Sequence, residues 1–133
     1  MSRAFIIYFI LMILNYAASQ YILEIEISGV KNNEGDILLQ LFDENHNLVT
    51  QEKGIPKDNK SFVRIKNLSP GKYAVRYFHD ENLNGILETN KIGKPTEGYG
   101  FSNDAYGTFG PKPFDNWLFE IKEDKKIVLK IKY

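Results

Sequence analysis

The chain has 133 residues, 43% of them hydrophobic, with 17 basic and 17 acidic side chains and a formal net charge of +0. This length and composition are typical of one globular domain. The balanced charge gives no electrostatic reason to expect a nucleic-acid partner, which would need a basic surplus. The absence of cysteine excludes disulfides, thiolate metal sites and a cysteine nucleophile.

The N-terminal segment is typical of a signal peptide. Residues 1–3 are a short cationic start, and residues 4–14 are an unbroken apolar run. That run suits a signal-peptide core and is too short to span a bilayer. Ala17 and Ser19 then place small residues at the third and first positions before a cut that would leave Gln20 as the new N-terminus.

We therefore expect residues 1–19 to be a cleaved signal peptide and residues 20–133 to be the mature domain. The domain would be exported to the periplasm or the extracellular medium. Because bacterial lipid attachment needs a cysteine, we expect no membrane anchor after cleavage. The alternative is an uncleaved N-terminal anchor helix.

Alternating apolar and polar residues predict β-strands along the rest of the chain. The strands are predicted over residues 21–27, 36–42, 62–68, 73–79, 117–121 and 127–133. The first two are expected to pair as a hairpin, and residues 43–60 are expected to be a polar connection. No stretch of the mature chain has a convincing helical period of 3.6, so the predicted class is all-β.

The segment from Leu68 to Val75 carries the most fold-specific local pattern. Tyr73 follows a Pro70-Gly71 turn at the start of a strand. This arrangement resembles the tyrosine corner of Greek-key sandwiches, in which the hydroxyl bonds back to upstream backbone. The alternative is an ordinary core tyrosine, and either interpretation supports a sandwich.

Residues 80–116 form a long segment without sustained alternation that holds six of the ten glycines. A loop of that length in a compact domain needs something to organise it. Side-chain oxygens of Asp80, Asn82 and Asn84 stand at positions one, three and five of a calcium-loop pattern, with Gly85 at position six. The carbonyl of Ile86 would be the next ligand, because Ca²⁺ takes six to eight oxygens.

The rest of the pattern departs from an EF-hand. Lys91 stands where a bidentate glutamate is needed, and no helical pattern flanks the loop. Further negative charge would come from Glu88 and from a supplementary acid, Glu97 or Asp104. We expect weak Ca²⁺ binding, about 10⁻⁴ to 10⁻³ M. The alternative is a turn whose side chains cap their own backbone without an ion.

Three motifs in order resemble one protein family. They are HDENLNGILE at 79–88, GKPTEGYGFSN at 93–103 and FGPKPF at 109–114, preceded by PGKYAV at 70–75. Together they resemble DUF2141, a bacterial exported family of unknown function. The resemblance implies a single Ig-like or transthyretin-like Greek-key sandwich over residues 20–133, with no established activity. Glu88 departs from the usual Asp, and Trp117 from a small residue.

Catalysis is not expected from this sequence. His79 with Asp80 or Glu97 could supply a base and its orienting acid, but catalysis also needs a nucleophile or an activated water in reach. Ser102 and Thr96 are the nearest hydroxyls, and neither lies in a G-x-S-x-G elbow. A hydrolase is therefore the least favoured of the functions considered.

A binding module is the stronger alternative to a purely structural role. Tyr99, Phe101, Tyr106 and Phe109 could stack on a cell-surface glycan or on a peptide or protein partner. Gly-aromatic segments also let a long loop pack its own rings onto a sheet. Rings that point outward on one face would favour binding, and rings that point into the sandwich would favour self-packing. The sequence therefore predicts an exported, non-enzymatic β-sandwich with a Ca²⁺-stabilised loop, and it specifies no oligomeric state.

Overall fold

Ten β-strands make up most of the regular structure in a computed structural model that describes residues 18–133. They are β1 (Tyr21–Ser28), β2 (Asp36–Asp43), β3 (Leu48–Gly54), β4 (Lys60–Leu68), β5 (Gly71–Asp80), β6 (Tyr99–Phe101), β7 (Tyr106–Gly107), β8 (Gly110–Pro111), β9 (Phe119–Ile121) and β10 (Lys125–Lys130). Two short 3₁₀ turns span Ser102–Asp104 and Phe114–Trp117. Residues 18–133 contain no α-helix, which confirms the all-β prediction. The bulk of the predicted signal peptide, residues 1–17, lies outside the described residues.

The strands form two sheets that pack as a sandwich. The smaller sheet has the order β10-β1-β4, with β1 parallel to β10 and antiparallel to β4. The larger sheet has the order β3-β2-β5-β6, and β9 also pairs with β5. A separate ribbon joins β7 to β8. The Ig-like or transthyretin-like Greek-key detail stays a prediction.

The core lies between the two sheets and is made of the inward residues of each alternating strand. Because successive strand residues point to opposite faces, every second residue of β1, β2 and β5 is buried. The buried apolar residues of the central cluster are Leu23, Ile25, Ile27, Val30, Ile37, Leu39, Leu41, Val63, Ile65, Leu68, Tyr73, Val75, Tyr77, Ile121, Leu129 and Ile131. Burial of this apolar surface is the main stabilising contribution in a domain without disulfides.

The predicted hairpin between the first two strands is wrong, because β1 and β2 belong to different sheets. The segment between them crosses the end of the sandwich with Val30 buried in the core. The Val30 N–H bonds the Asn59 carbonyl at 3.0 Å, which holds the crossing segment beside the turn that precedes β4. In this chain the buried Val30 lies within the segment that connects the two sheets.

The polar connection predicted over residues 43–60 also needs correction, since it contains β3. This strand is at the edge of the larger sheet and pairs with β2 alone. Gly54 is its only buried residue. An edge strand that buries so little needs no apolar alternation, so its sequence carries no strand signal. The strand predicted from residue 117 begins instead at Phe119, because Trp117 ends a 3₁₀ turn.

The tyrosine corner is present at the start of β5. The Tyr73 hydroxyl donates a hydrogen bond to the Ser69 carbonyl at 2.7 Å, and only 7% of the side chain is exposed. Burial raises the pKa of Tyr73 above its ordinary value, and the Asp43 carboxylate adds to the rise. The bond fixes the turn that carries the chain from β4 in one sheet to β5 in the other.

Glycines allow the long segment after β5 to return to the sheet. A Cβ at Gly100 would lie 2.3 Å from ring atoms of Tyr77, so only glycine lets β6 dock at this distance. The Tyr77 hydroxyl in turn donates to the Lys130 carbonyl on β10. At Gly98, a Cβ would lie 2.5 Å from the Tyr133 ring. These two glycines make room for the rings of Tyr77 and Tyr133, which lie outside the long segment itself.

Candidate functional site

The outer face of the larger sheet carries two rows of side chains, because residues paired across strands point to the same face. The row nearer the start of β2 is Lys53, Leu38, Phe78 and Tyr99, and the next row is Gln51, Gln40, Arg76 and Phe101. Each row crosses the four strands β3, β2, β5 and β6. The first row is mostly apolar, and the second combines two amides, a guanidinium and an aromatic ring.

These rows form the floor of a groove of about 710 Å³, called here the outer-face groove. Gly85 and Leu87 of the segment after β5 line one side, and Pro111 of β8 also contributes. Trp117 lines the groove near its opposite end, where it packs on Ala74. Thus the chain between β5 and β9 lines both ends of the outer face of the larger sheet, and the groove lies between them.

Arg76 is held in a fixed orientation on the floor of this groove. Its Nε donates to Oε1 of Gln40 at 2.6 Å, and its guanidinium carbon lies 5.2 Å from the Phe42 ring centroid. None of the ion pairs among residues 18–133 involves Arg76. The guanidinium is therefore positioned by an amide and a ring, with no carboxylate partner from the described part of the chain.

The four aromatic residues predicted to bind a ligand are divided by the structure. Tyr99 and Phe101 line the outer-face groove. Tyr106 packs edge-on against both of these rings, and its hydroxyl donates to the Tyr99 carbonyl at 2.8 Å. Burial raises the pKa of Tyr106 to about 12, with a further contribution from the Asp104 carboxylate. Phe109 is fully exposed in the turn between β7 and β8 and is not among the residues that line the groove.

The predicted calcium loop forms a tight turn around the carboxylate of Asp80, which is 3% exposed. The carboxylate accepts the N–H groups of Asn84 at 3.2 Å and Gly85 at 2.8 Å. The side-chain carbonyl of Asn82 accepts the Asn84 N–H, and that of Asn84 accepts the Ile86 N–H. These are the backbone contacts that the ion-free turn predicts.

Glu88 and Glu97 complete this turn, called here the Asp80 loop (residues 80–88). The amide nitrogens of Asn82 and Asn84 both donate to Oε1 of Glu88, the latter at 2.6 Å. The Glu97 carboxylate, 7% exposed, accepts the Glu81 N–H at 3.0 Å and the Glu88 N–H at 3.3 Å. Glu97 therefore joins the two ends of the loop and does not lie at its centre.

The chemistry of the Asp80 loop restricts how it could hold a cation. Within residues 18–133, no three His, Cys, Asp or Glu side chains form a group suited to a metal ion. A cation here would need amide and carbonyl oxygens as well as carboxylates, which suits a hard ion such as Ca²⁺. No ion pair in the described chain involves Asp80, Glu88 or Glu97, so these carboxylates have no cationic side-chain partner there.

His79 is enclosed beside the loop and makes hydrogen bonds through both ring nitrogens. Its side chain is 0% exposed, with Nε2 at 2.6 Å from the Glu34 carbonyl and Nδ1 at 2.7 Å from the Tyr133 hydroxyl. Ser102 is also buried, and its hydroxyl donates to the Trp117 carbonyl at 2.5 Å. The Thr96 hydroxyl donates to the Glu88 carbonyl. The two hydroxyls considered as nucleophiles therefore bond backbone and not His79.

Comparison with known families gives one assignment. Residues 25–128 match DUF2141, described as an uncharacterized protein conserved in bacteria. The chain belongs to the DUF2141 family. The match begins in β1 and ends in β10, so this DUF2141 domain includes both sheets, the outer-face groove and the Asp80 loop. No curated protein matches the chain. Within residues 18–133, no helix has the length and apolar character needed to cross a membrane.

Sequence reasoning did not find the groove residues on β2 and β5. Leu38 and Phe78 lie on the faces opposite the core residues of their strands. Apolar side chains on both faces of a strand are a signal that something covers or uses the outer face. The apolar residues on both faces of β2 and β5 can be seen in the sequence. Which of them lie side by side across the strands is known only from the strand register.

Proposed function

We propose that this DUF2141 domain is an exported, non-enzymatic domain that binds carbohydrate in the outer-face groove. The observation that supports the proposal is a groove with aromatic rings, amides and a guanidinium together on its floor. Aromatic side chains provide apolar area at a low entropic cost, and amides and guanidinium groups donate to ligand oxygens. Binding residues carried on a rigid β-scaffold are also held in place by the sheet.

The position of the groove favours carbohydrate over a peptide. An extended peptide that joins a sheet uses the unpaired backbone groups at a strand edge. The groove lies on the face of the sheet, where the backbone groups of β2 and β5 are already paired in the ladder. The polar groups available to a ligand are side chains such as Gln40, Gln51 and Arg76. Their chemistry suits the hydroxyls of a sugar.

The surroundings of His79 support a non-enzymatic role. A general base needs a nitrogen within hydrogen-bond reach of the group from which it takes a proton. Both ring nitrogens of His79 bond atoms of the chain itself, and the side chain is 0% exposed. An enclosed histidine with these partners stabilises the junction of β5 with the neighbouring turns.

The binding proposal is tested by titrating the protein with soluble oligosaccharides in a calorimeter. Tyr99→Ala removes a ring from the groove floor, and Phe109→Ala removes a ring that is exposed outside the groove. We expect Tyr99→Ala to weaken binding about fivefold, since stacking contacts of this kind are worth about 1 kcal/mol. Equal affinities for the two variants, or no binding to any sugar at millimolar concentration, would contradict the proposal.

We further propose that Ca²⁺ stabilises the Asp80 loop and so fixes one wall of the groove. The buried carboxylates of Asp80 and Glu97 support this, since buried charges are commonly paired with an opposite charge or bound to a metal ion. Rotation of an asparagine amide exchanges its nitrogen and oxygen, so Asn82 and Asn84 could turn oxygens toward an ion beside Glu88. Bound Ca²⁺ would supply the positive charge that the described side chains do not.

The calcium proposal is tested by thermal unfolding with Ca²⁺ and with chelator. A ligand that binds only the folded state raises stability, by about 1.4 kcal/mol at ten times its dissociation constant. Asp80→Asn should abolish this gain. Glu81→Gln is the matched control, because the Glu81 side chain lies beside Lys31, Asn32 and His79 and makes no hydrogen bond within the loop. Equal responses of the two variants, or no stabilisation of the wild type at millimolar Ca²⁺, would leave the ion-free turn as the explanation.

Export is tested separately, since it depends on the N-terminal segment alone. Intact-mass analysis of protein recovered from the periplasm or the medium should give a chain that begins at Gln20. Retention of residues 4–14 in the exported protein would contradict cleavage of a signal peptide.

A further inference from the structure

We propose that the outer-face groove selects acidic carbohydrate, with Arg76 as the group that binds the sugar carboxylate. This inference rests on the proposed carbohydrate function and names the class of sugar. A uronate carries a carboxylate on a ring that also has an apolar face. The groove offers the matching pair of features, a guanidinium on one row and aromatic rings on both rows.

The orientation of Arg76 suits recognition of a carboxylate. A guanidinium has five N–H donors in a planar fork that fits a carboxylate through two parallel hydrogen bonds. In Arg76 the Nε donor is taken by Gln40 at 2.6 Å, and the group stacks 5.2 Å from the centroid of Phe42. These contacts hold the plane of the fork, and the terminal nitrogens have no carboxylate partner from residues 18–133. Holding the fork in advance reduces the entropic cost of binding.

The floor of the outer-face groove carries an excess of positive charge. Its two rows contain Lys53 and Arg76 and no acidic side chain. Glu52 also lines the groove, but its side chain alternates to the opposite face of β3, where its carboxylate accepts the Thr50 hydroxyl at 3.0 Å. The chain as a whole has a net charge of +0, so these two cations are a local excess.

Acidic groups do lie beyond the first row, and their positions locate the carboxylate site. Asp36 and Asp80 form the next pair on the same face, two residues along β2 and β5 from the pair Leu38 and Phe78 and on the side away from Arg76. Asp36 lies 4.0 Å from the Lys53 ammonium, and Asp80 accepts backbone N–H groups of its own loop. Arg76 is in the second row, farther from both acids. A sugar carboxylate is therefore expected at Arg76 and not at Lys53.

Arg64 provides a matched comparison within the same chain. It lies on β4 in the smaller sheet, where its Nε is 3.9 Å from the Glu24 carboxylate. Arg64 is also exposed, so its substitution removes the same charge without touching the groove. A response of Arg76 variants that Arg64→Gln does not reproduce would identify a local contact and not a change in net charge.

The experiment compares a galacturonic acid trimer with the neutral galactose trimer, by calorimetry or by chemical-shift titration, in buffer with millimolar Ca²⁺ and again with chelator. The wild type should bind the acidic trimer at least about tenfold more tightly, because hydrogen bonds to charged groups are stronger than neutral ones. Arg76→Gln should abolish that preference, because it should weaken binding of the acidic trimer more than binding of the neutral trimer. Arg64→Gln should retain the preference, and added salt should reduce it.

Arg76→Lys is the second variant, because it keeps the charge but not the planar fork. It should lose part of the preference, and its fold is checked by the dispersion of its amide spectrum. Equal binding of acidic and neutral trimers by the wild type, or an unchanged preference in folded Arg76→Gln or Arg76→Lys, would overturn the inference while the carbohydrate proposal stands. Absence of binding to either trimer and to a wider panel of neutral and acidic sugars would overturn both.

Discussion

Replacing Tyr73 with phenylalanine isolates one hydrogen bond at the crossover between the two sheets. The substitution removes the hydroxyl that donates to the Ser69 carbonyl at 2.7 Å and leaves the buried ring in place. A neutral hydrogen bond contributes about 0.5 to 1.5 kcal/mol to stability, and a buried acceptor left without a donor costs about 1 to 3 kcal/mol. Ser69 is exposed, so water can replace the lost donor. We therefore expect a loss of about 1 kcal/mol.

The assay is equilibrium unfolding in urea together with a thermal scan. A loss of about 1 kcal/mol in a domain of this size corresponds to a decrease of about 3 to 6 °C in the melting temperature. The dependence on urea should keep its slope, because the surface exposed on unfolding is unchanged. A lower midpoint with the same slope would identify a change in stability alone.

Tyr21→Phe is the matched control. The Tyr21 ring is partly buried against the core, and its hydroxyl makes no hydrogen bond to any residue in the range 18–133. Its removal should change the free energy of unfolding by less than about 0.5 kcal/mol. If Tyr73→Phe unfolds at the wild-type midpoint, or if both variants lose the same stability, the reasoning about the tyrosine corner is refuted.

Three further predictions concern packing and pH. Gly100→Ala should lower the free energy of unfolding in urea by about 1 to 3 kcal/mol or more, because the added Cβ would lie 2.3 Å from Tyr77. Gly71→Ala is the control and should be tolerated, because the nearest atom to its Cβ would be 3.9 Å away. Folding raises the pKa of Tyr106 from 10.0 to about 12, so the stabilisation that this residue contributes should be complete below pH 10 and should decline as the pH rises through 12. Unfolding experiments at several pH values, followed by tyrosinate absorbance, check this pH dependence. The Tyr106→Phe variant should lack this part of the pH dependence. Phe109→Ser should leave the melting temperature unchanged, since the ring is 102% exposed.

The strands that bury an alternating face could be predicted from the sequence. Burial of every second residue follows directly from the pattern in β1, β2 and β5, and the tyrosine corner follows from the Pro-Gly turn before Tyr73. Strand β3 could not be predicted in this way, because an edge strand buries almost none of its side chains. Its polar sequence is physically compatible with both a strand and a loop.

The candidate site was predictable only in part, because some of its residues are neighbours in the sequence and others are brought together from distant strands. The Asp80 loop is a local motif, so its turn around Gly85 could be recognised from neighbouring residues. The groove floor is built by strands β3, β2, β5 and β6, whose order depends on long-range pairing. Arg76 meets Gln40 only through that pairing. No local pattern contains this information.

The parallel pairing of β1 with β10 makes the completion of folding depend on the last strand. Ile22 donates its N–H to the Asp124 side chain, and the two residues are 102 apart along the chain. Closing so long a separation is entropically costly, and contacts of this kind slow folding. Until β10 (Lys125–Lys130) is available, β1 has only β4 as a partner and the core strand Leu23–Ile27 is open on one edge. Pairing of β10 with β1 therefore completes the smaller sheet, and this step must wait until the last strand of the domain is present.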